Sequence, residues 1–223
     1  PVFVIIPSFG EPTLLVHSLR ANHARREAVF PDIQLYGKWG NKTGLSLDPI
    51  DAIREIISSE YPLPRRAALE SSYLNIALYH RMTEILCLND IVDVSSLVER
   101  LKVVKDELEL DFVRKAGNLA DRAMNTMIEC LRTGSSEAVA STEGQYAMRK
   151  LWQEQYGDDE ISGFGSSEGG IIDALQCWCL TGGRIAYGCD CPTPIVPVRG
   201  DLVLPMVWAK LGGYYAESER TLY

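Results

Sequence analysis

The spacing of apolar positions changes twice along the chain and divides it into an α/β stretch, a helical stretch and a β stretch. Val2 to Ile6, Thr13 to His17 and Ile33 to Tyr36 are short runs rich in β-branched and aromatic residues, separated by Pro, Gly and Asp, and they predict strands. Between Pro49 and Tyr61, Ile50, Ile53, Ile56 and Ile57 fall on one helical face. A further strand over Ala67 to Leu69 is followed by a helix carrying Leu74, Ala77, Leu78 and Met82. Ile91 to Val94 predicts another strand, and Ser96 with Glu99 predicts a capping box opening a helix to Val103. Strands alternating with helices imply an α/β domain over residues 1–104.

From Asp106 the period becomes helical and stays so. Leu110, Val113, Ala116, Ala120, Ala123, Met127 and Leu131 form one long stripe that stops at Thr133-Gly134, and a second helix is expected from Ser136 to Tyr156. After the Gly- and Ser-rich passage Gly163 to Gly170, Ile171 to Leu180 reads as one strand. Leu202, Val203, Leu204 and Val207 then lead to a Lys-Leu-Gly-Gly turn and return through Tyr214 and Tyr215, a two-stranded hairpin. Alternation sends one of those tyrosines into the core and one outward. Residues 105–223 thus form a second, α+β domain.

Composition narrows the partners. The 223 residues are 46% hydrophobic and 23% charged, with a formal net charge of -8, so a phosphate-backbone partner is not expected: Arg25-Arg26 and Arg65-Arg66 are too small to be a nucleic-acid footprint. No run is apolar enough for a membrane helix. Six cysteines are too few for a small secreted disulfide scaffold, which favours a reducing cytoplasm. The opening PVFVIIP reads as a strand already under way, and an N-terminal piece is expected to precede it. His17, His23 and His80 have no partner spacing and receive no site role.

The order of elements, together with Val103-Val104-Lys105-Asp106-Glu107-Leu108-Glu109, Gly134-Ser-Ser-Glu137 and the series Thr181-Gly182, Cys189, Gly200-Asp201 and Glu219-Arg220-Thr221, resembles the creatinase, prolidase and aminopeptidase P group. The resemblance covers the whole chain. It implies an α/β creatinase-type N-terminal domain, residues 1–104, followed by the first half of an α+β pita-bread catalytic domain, residues 105–223. It also implies hydrolysis of C–N bonds and a homodimer. Peptidases of the group hold two divalent metals with two Asp, one His and two Glu. The two Asp positions fall here on Met206 and Glu217, an upstream substrate-holding His falls on Cys189, and the remaining ligands would lie beyond Tyr223.

A thioether is a poor ligand for hard divalent metals beside oxygen donors. The expectation is therefore no cofactor, with a divalent metal pair only if residues beyond Tyr223 restore a site. Creatinase departs from the peptidases in the same direction and carries an ending similar to Glu217-Ser-Glu219-Arg220-Thr221-Leu222. The expected catalytic residues are Cys189, Glu217 and Glu219, acting on a small amidino, amide or dipeptide substrate. Glu217 and Glu219 share a strand face, which suits an acid and base pair and equally an exposed surface. The other reading of the whole chain is a non-catalytic paralogue that dimerises or binds. Cys177, Cys179, Cys189 and Cys191 allow a zinc site, or, for the first two, small apolar fillers on one strand face. Arg220 is expected to support the sheet.

Overall fold

The computed structural model describes residues 2–60, 62–164, 171–188 and 190–223. The chain forms two compact units, Pro1–Val104 and Lys105–Tyr223.

In the first unit the elements run β1 (Phe3–Ile5), β2 (Thr13–His17), α1 (Ala21–Glu27), β3 (Asp32–Tyr36), β4 (Lys38–Trp39), β5 (Lys42–Thr43), α2 (Pro49–Glu60), β6 (Arg66–Leu69), α3 (Ile76–Ile85), β7 (Asp90–Asp93) and α4 (Ser95–Val103). β2 pairs antiparallel with β1 and parallel with β3, and β6 pairs parallel with β7. Leu14, Leu15 and Val16 are all buried because β2 has apolar packing on both faces. Leu15 joins Tyr36, Ile50, Ile53, Met82 and Leu86 on one side, while Leu14 and Val16 meet Ala24 on the other. Asp48 caps α2, accepting from the backbone N–H of Ile50 at 2.9 Å, and Pro49 occupies the first helical position, where its missing N–H costs nothing.

One expectation here is corrected. Ser96 and Glu99 form no capping box: α4 begins at Ser95 behind Val94, which makes no side-chain cap. The carboxylate of Asp93 outcompetes a serine hydroxyl, accepting from Ser95 N at 2.9 Å and Ser95 Oγ at 2.6 Å, while Glu99 accepts from the Tyr73 hydroxyl instead. The Ser95 hydroxyl and amide, with help from Ser71, hold the Asp93 carboxyl down at about 2.

The second unit contains α5 (Glu107–Arg132), α6 (Glu137–Gln155), β8 (Ser162–Phe164), β9 (Ile171–Asp173), β10 (Leu175–Thr181), a 3-10 turn over Gly182–Tyr187, β11 (Val203–Leu211) and β12 (Tyr214–Glu219). A capping box does open α5. Glu109 N donates to Asp106 Oδ1 at 2.9 Å and Asp106 N to Glu109 Oε2 at 2.8 Å. The expected single strand over Ile171 to Leu180 is two strands that break at Ala174. β9 pairs with β8, whereas β10 pairs with β11, and the Ala174 carbonyl accepts from Lys210 N at the changeover.

β10, β11 and β12 form an antiparallel sheet packed on α5 and α6. Its core is Ala116, Leu119, Ala123 and Met127 of α5, Met148 and Leu151 of α6, and Leu175, Cys177, Cys179, Val207, Ala209 and Leu211 of the sheet. Gly144 makes the fit possible, since a Cβ there would sit 2.6 Å from Met127 Cγ and 3.2 Å from Cys177 Sγ. The hairpin turns through Gly212 and Gly213, both at positive φ, as a two-residue reversal between twisted strands requires. A Cβ on Gly212 would also meet the Phe112 ring at 2.5 Å.

Candidate functional site

Strand alternation divides the hairpin's residues between two faces. Cys177, Cys179, Val207 and Ala209 face the helices, and their neighbours Gln176, Trp178, Met206, Trp208, Glu217 and Glu219 share the opposite face. The register sets Met206 directly across from Glu219 on one side and Trp178 on the other, with Trp208 across from Glu217. Met206, Glu217 and Glu219 are therefore neighbours on one surface. Met206 is buried beneath its partners, while both glutamates are exposed.

Glu217 is oriented by an aromatic neighbour. Its Oε1 accepts a 2.8 Å hydrogen bond from Trp208 Nε1, and the Trp178 ring meets Trp208 edge-on, centroids 5.5 Å apart at 77°. No role is expected for Trp178 or Trp208 from sequence alone, although the alternation that sets them on the face of Glu217 is a usable signal. Tyr214 and Tyr215 diverge as expected. Tyr214 stacks on Phe112 and donates to Glu109 Oε1 at 2.8 Å, whereas Tyr215 is exposed beneath the Lys210 ammonium. Arg220 supports the end of the sheet, donating from its backbone to Pro205 O and from Nη1 to Glu219 O.

Cys189 lies outside the described residues. The segment on either side of it is fastened by Glu137, which stands out in the sequence only within the motif Gly134-Ser-Ser-Glu137. The Glu137 carboxylate is fully buried at the first turn of α6. It accepts from Thr181 N and Oγ1 at 2.7 and 2.9 Å, from Thr193 N and Oγ1 at 2.9 and 2.8 Å, and from Arg184 Nη1. Arg184 reaches on to Asp190 Oδ2 at 2.9 Å and the Cys191 carbonyl at 2.7 Å. The backbone completes the clasp: the N–H groups of Glu137 and Ala138, which have no helical partner, donate to Ile195 O and Thr193 O. Burial alone would push the Glu137 carboxyl up, but the bonds from Thr193, Thr181 and Arg184 outweigh it and hold the group below its usual value. A glutamate in a first helical turn ordinarily reads as a dipole partner, and nothing local points to an arginine in a distant turn.

The thiols divide by environment. Cys179 is buried against the helices, and burial, with the Glu137 charge behind it, pushes its thiol up to about 12. Cys177 is buried beside it and Cys191 is exposed. The first two are small apolar fillers of the sheet's helix-facing side. Among the described residues no group of three or more His, Cys, Asp or Glu is placed to hold a metal ion. Among them, too, no helix is long and apolar enough to cross a membrane.

Comparison with known proteins places this geometry. The family "Creatinase/Prolidase N-terminal domain" matches residues 1–104. Creatinase from Bacillus sp. (strain B-0618) is 22% identical over 172 residues, covering 77% of this chain and 39% of creatinase. Prolidase from Pyrococcus furiosus superposes with a TM-score of 0.74 at 20% identity, over 99% of this chain and 58% of its own. The X-Pro aminopeptidase of Thermotoga maritima MSB8 gives 0.72 at 20% identity, over 99% and 55%. The chain thus spans about two fifths of creatinase and just over half of these solved structures. The second unit has the fold of the first part of the pita-bread catalytic domain. By the matched N-terminal domain over residues 1–104, the curated relative and the shared fold together, the chain is similar to the creatinase, prolidase and aminopeptidase P family.

Proposed function

We propose that the chain serves a creatinase- or prolidase-like hydrolase that cleaves a C–N bond in a small amidino, amide or dipeptide substrate without a two-metal centre. The observation that carries this reading is the shared outward face of Met206, Glu217 and Glu219. Two of these occupy the positions where the resemblance puts metal-binding aspartates, and the donor set does not fit such a centre. Met206 offers a thioether, which hard divalent ions reject in favour of oxygen. Glu217 already gives one oxygen to an indole N–H.

What remains on that face is a pair of carboxylates on one strand, the arrangement general acid and base chemistry uses. In hydrolysis one carboxylate takes a proton from the attacking water as its oxygen bonds the C–N carbon. The C–N bond then breaks, and the departing nitrogen receives a proton from the other carboxylate or from Cys189. Glu217 and Glu219 are the acid and base, and Cys189 the third candidate, in place of the family's upstream histidine. A cytoplasmic homodimer is the matching assembly.

Turnover of creatine, as an amidino substrate, and of an Xaa-Pro dipeptide is the test. The reading predicts hydrolysis of one of them, lost by at least about 100-fold on Glu219→Gln or Glu217→Gln. Activity indifferent to both substitutions would overturn the assignment. Sedimentation of the purified chain should give a dimer.

A further inference from the structure

We propose that Trp208 is a positioning residue that holds Glu217 as the acceptor for an N–H donor of an organic substrate. The proposal rests on reading Glu217 as a site carboxylate, and adds how that carboxylate is aimed and what it receives.

Four features of the face support it. Trp208 and Glu217 are directly opposed across the β11–β12 ladder, so their side chains leave the backbone as neighbours. An indole N–H can only donate, and this one donates to Glu217 Oε1 at 2.8 Å. The edge-on Trp178 ring then limits rotation of the indole, so the carboxylate is held by a rigid group rather than a flexible one. Among the described residues Glu217 Oε2 has no hydrogen-bond partner, and it is exposed.

The surroundings decide what that second oxygen meets. Met206 supplies no hard donor, Lys210 of β11 is over the Tyr215 ring, and Arg220 gives its Nη1 to the Glu219 carbonyl. Two exposed glutamates and two indoles make an acidic, aromatic surface, which favours an N–H bearing cation or amide over a bare metal ion. The indole thereby replaces what a bound metal does elsewhere, fixing the carboxylate's orientation before substrate arrives.

Indole N–H resonances of the ¹⁵N-labelled chain test this directly. Trp39, Trp152, Trp178 and Trp208 are the four tryptophans, and Trp208→Phe identifies the fourth signal by its loss. The expected result is a downfield Trp208 signal that moves upfield in Glu217→Gln, and that shifts on adding methylguanidinium in the native chain but not in Glu217→Gln. In turnover, Trp208→Phe should lower kcat more than it changes KM, and should have no added effect on top of Glu217→Gln. A Trp208 signal unchanged in Glu217→Gln overturns the pairing. Broadening of that signal by Mn²⁺, abolished by Glu217→Gln, overturns the organic acceptor. If the pairing is seen while Glu217→Gln leaves turnover intact, the reading of Glu217 itself falls, and the proposal with it.

Discussion

The two faces of the β10–β12 sheet are made by the same strands and meet opposite surroundings. Toward α5 and α6 the alternate residues are Leu175, Cys177, Cys179, Val207, Ala209 and Leu211, all buried and all apolar or behaving so. On the other side the same alternation exposes Glu217 and Glu219 and half-exposes Trp178 and Trp208 around a buried Met206. One face is closed by packing, and the other holds side chains whose hydrogen-bonding capacity is still open. On the function proposed above, stability and chemistry are separable by residue parity, and substitutions on the two faces should fail in different assays.

The largest stability loss is expected on the closed face and its clasp. Glu137→Ala leaves Arg184 and the Thr181 and Thr193 donors without their acceptor, and should cost about 3–5 kcal/mol by denaturant unfolding. Glu137 also gives the stability a pH dependence of known sign. Because its folded carboxyl sits below its usual value, the stabilisation is complete at neutral pH, and is lost as pH falls below about 4.3 through the folded value. Glu137→Gln should flatten that acid limb, and a limb unchanged by the substitution would place its origin elsewhere.

Leu175→Ala, at a fully buried position, should lose about 2–5 kcal/mol while leaving the outer face's ligand response intact. Gly212→Ala adds a Cβ at positive φ against the Phe112 ring, for a loss of about 1–3 kcal/mol in the same measurement. Thiol labelling offers a smaller contrast across the unit. At pH 8 Cys191 should react with iodoacetamide readily in the folded chain, and Cys179 only on unfolding. Comparable labelling of the two in the folded state would contradict the closed face.

Most of the architecture was legible because it is written in local periods. The α5 stripe, the Asn-free Gly212-Gly213 reversal and the opposed fates of Tyr214 and Tyr215 follow from spacing alone. The failures came where two local signals competed or where a partner was distant. Ser96 with Glu99 had the capping pattern, but Asp93 was the stronger acceptor. The apolar run from Ile171 gave no hint that the strand changes partner at Ala174. For the site, the family resemblance singles out Met206 and Glu217, strand alternation puts Glu219 on the face of Glu217, and the register makes the three neighbours. Trp208 was hidden because a hydrogen bond across a ladder depends on register, and Glu137 because its arginine lies in another element.

In the proposed function the open face acts through its carboxylates rather than through the closed core, and one paired measurement separates the two. Glu217→Gln and Glu219→Gln should each leave unfolding stability within about 0.5 kcal/mol of the native chain, as surface changes do, while hydrolysis of the amidino or dipeptide substrate is lost. Full hydrolysis in both variants, or its loss only in step with stability, would show that the carboxylates do not carry the reaction.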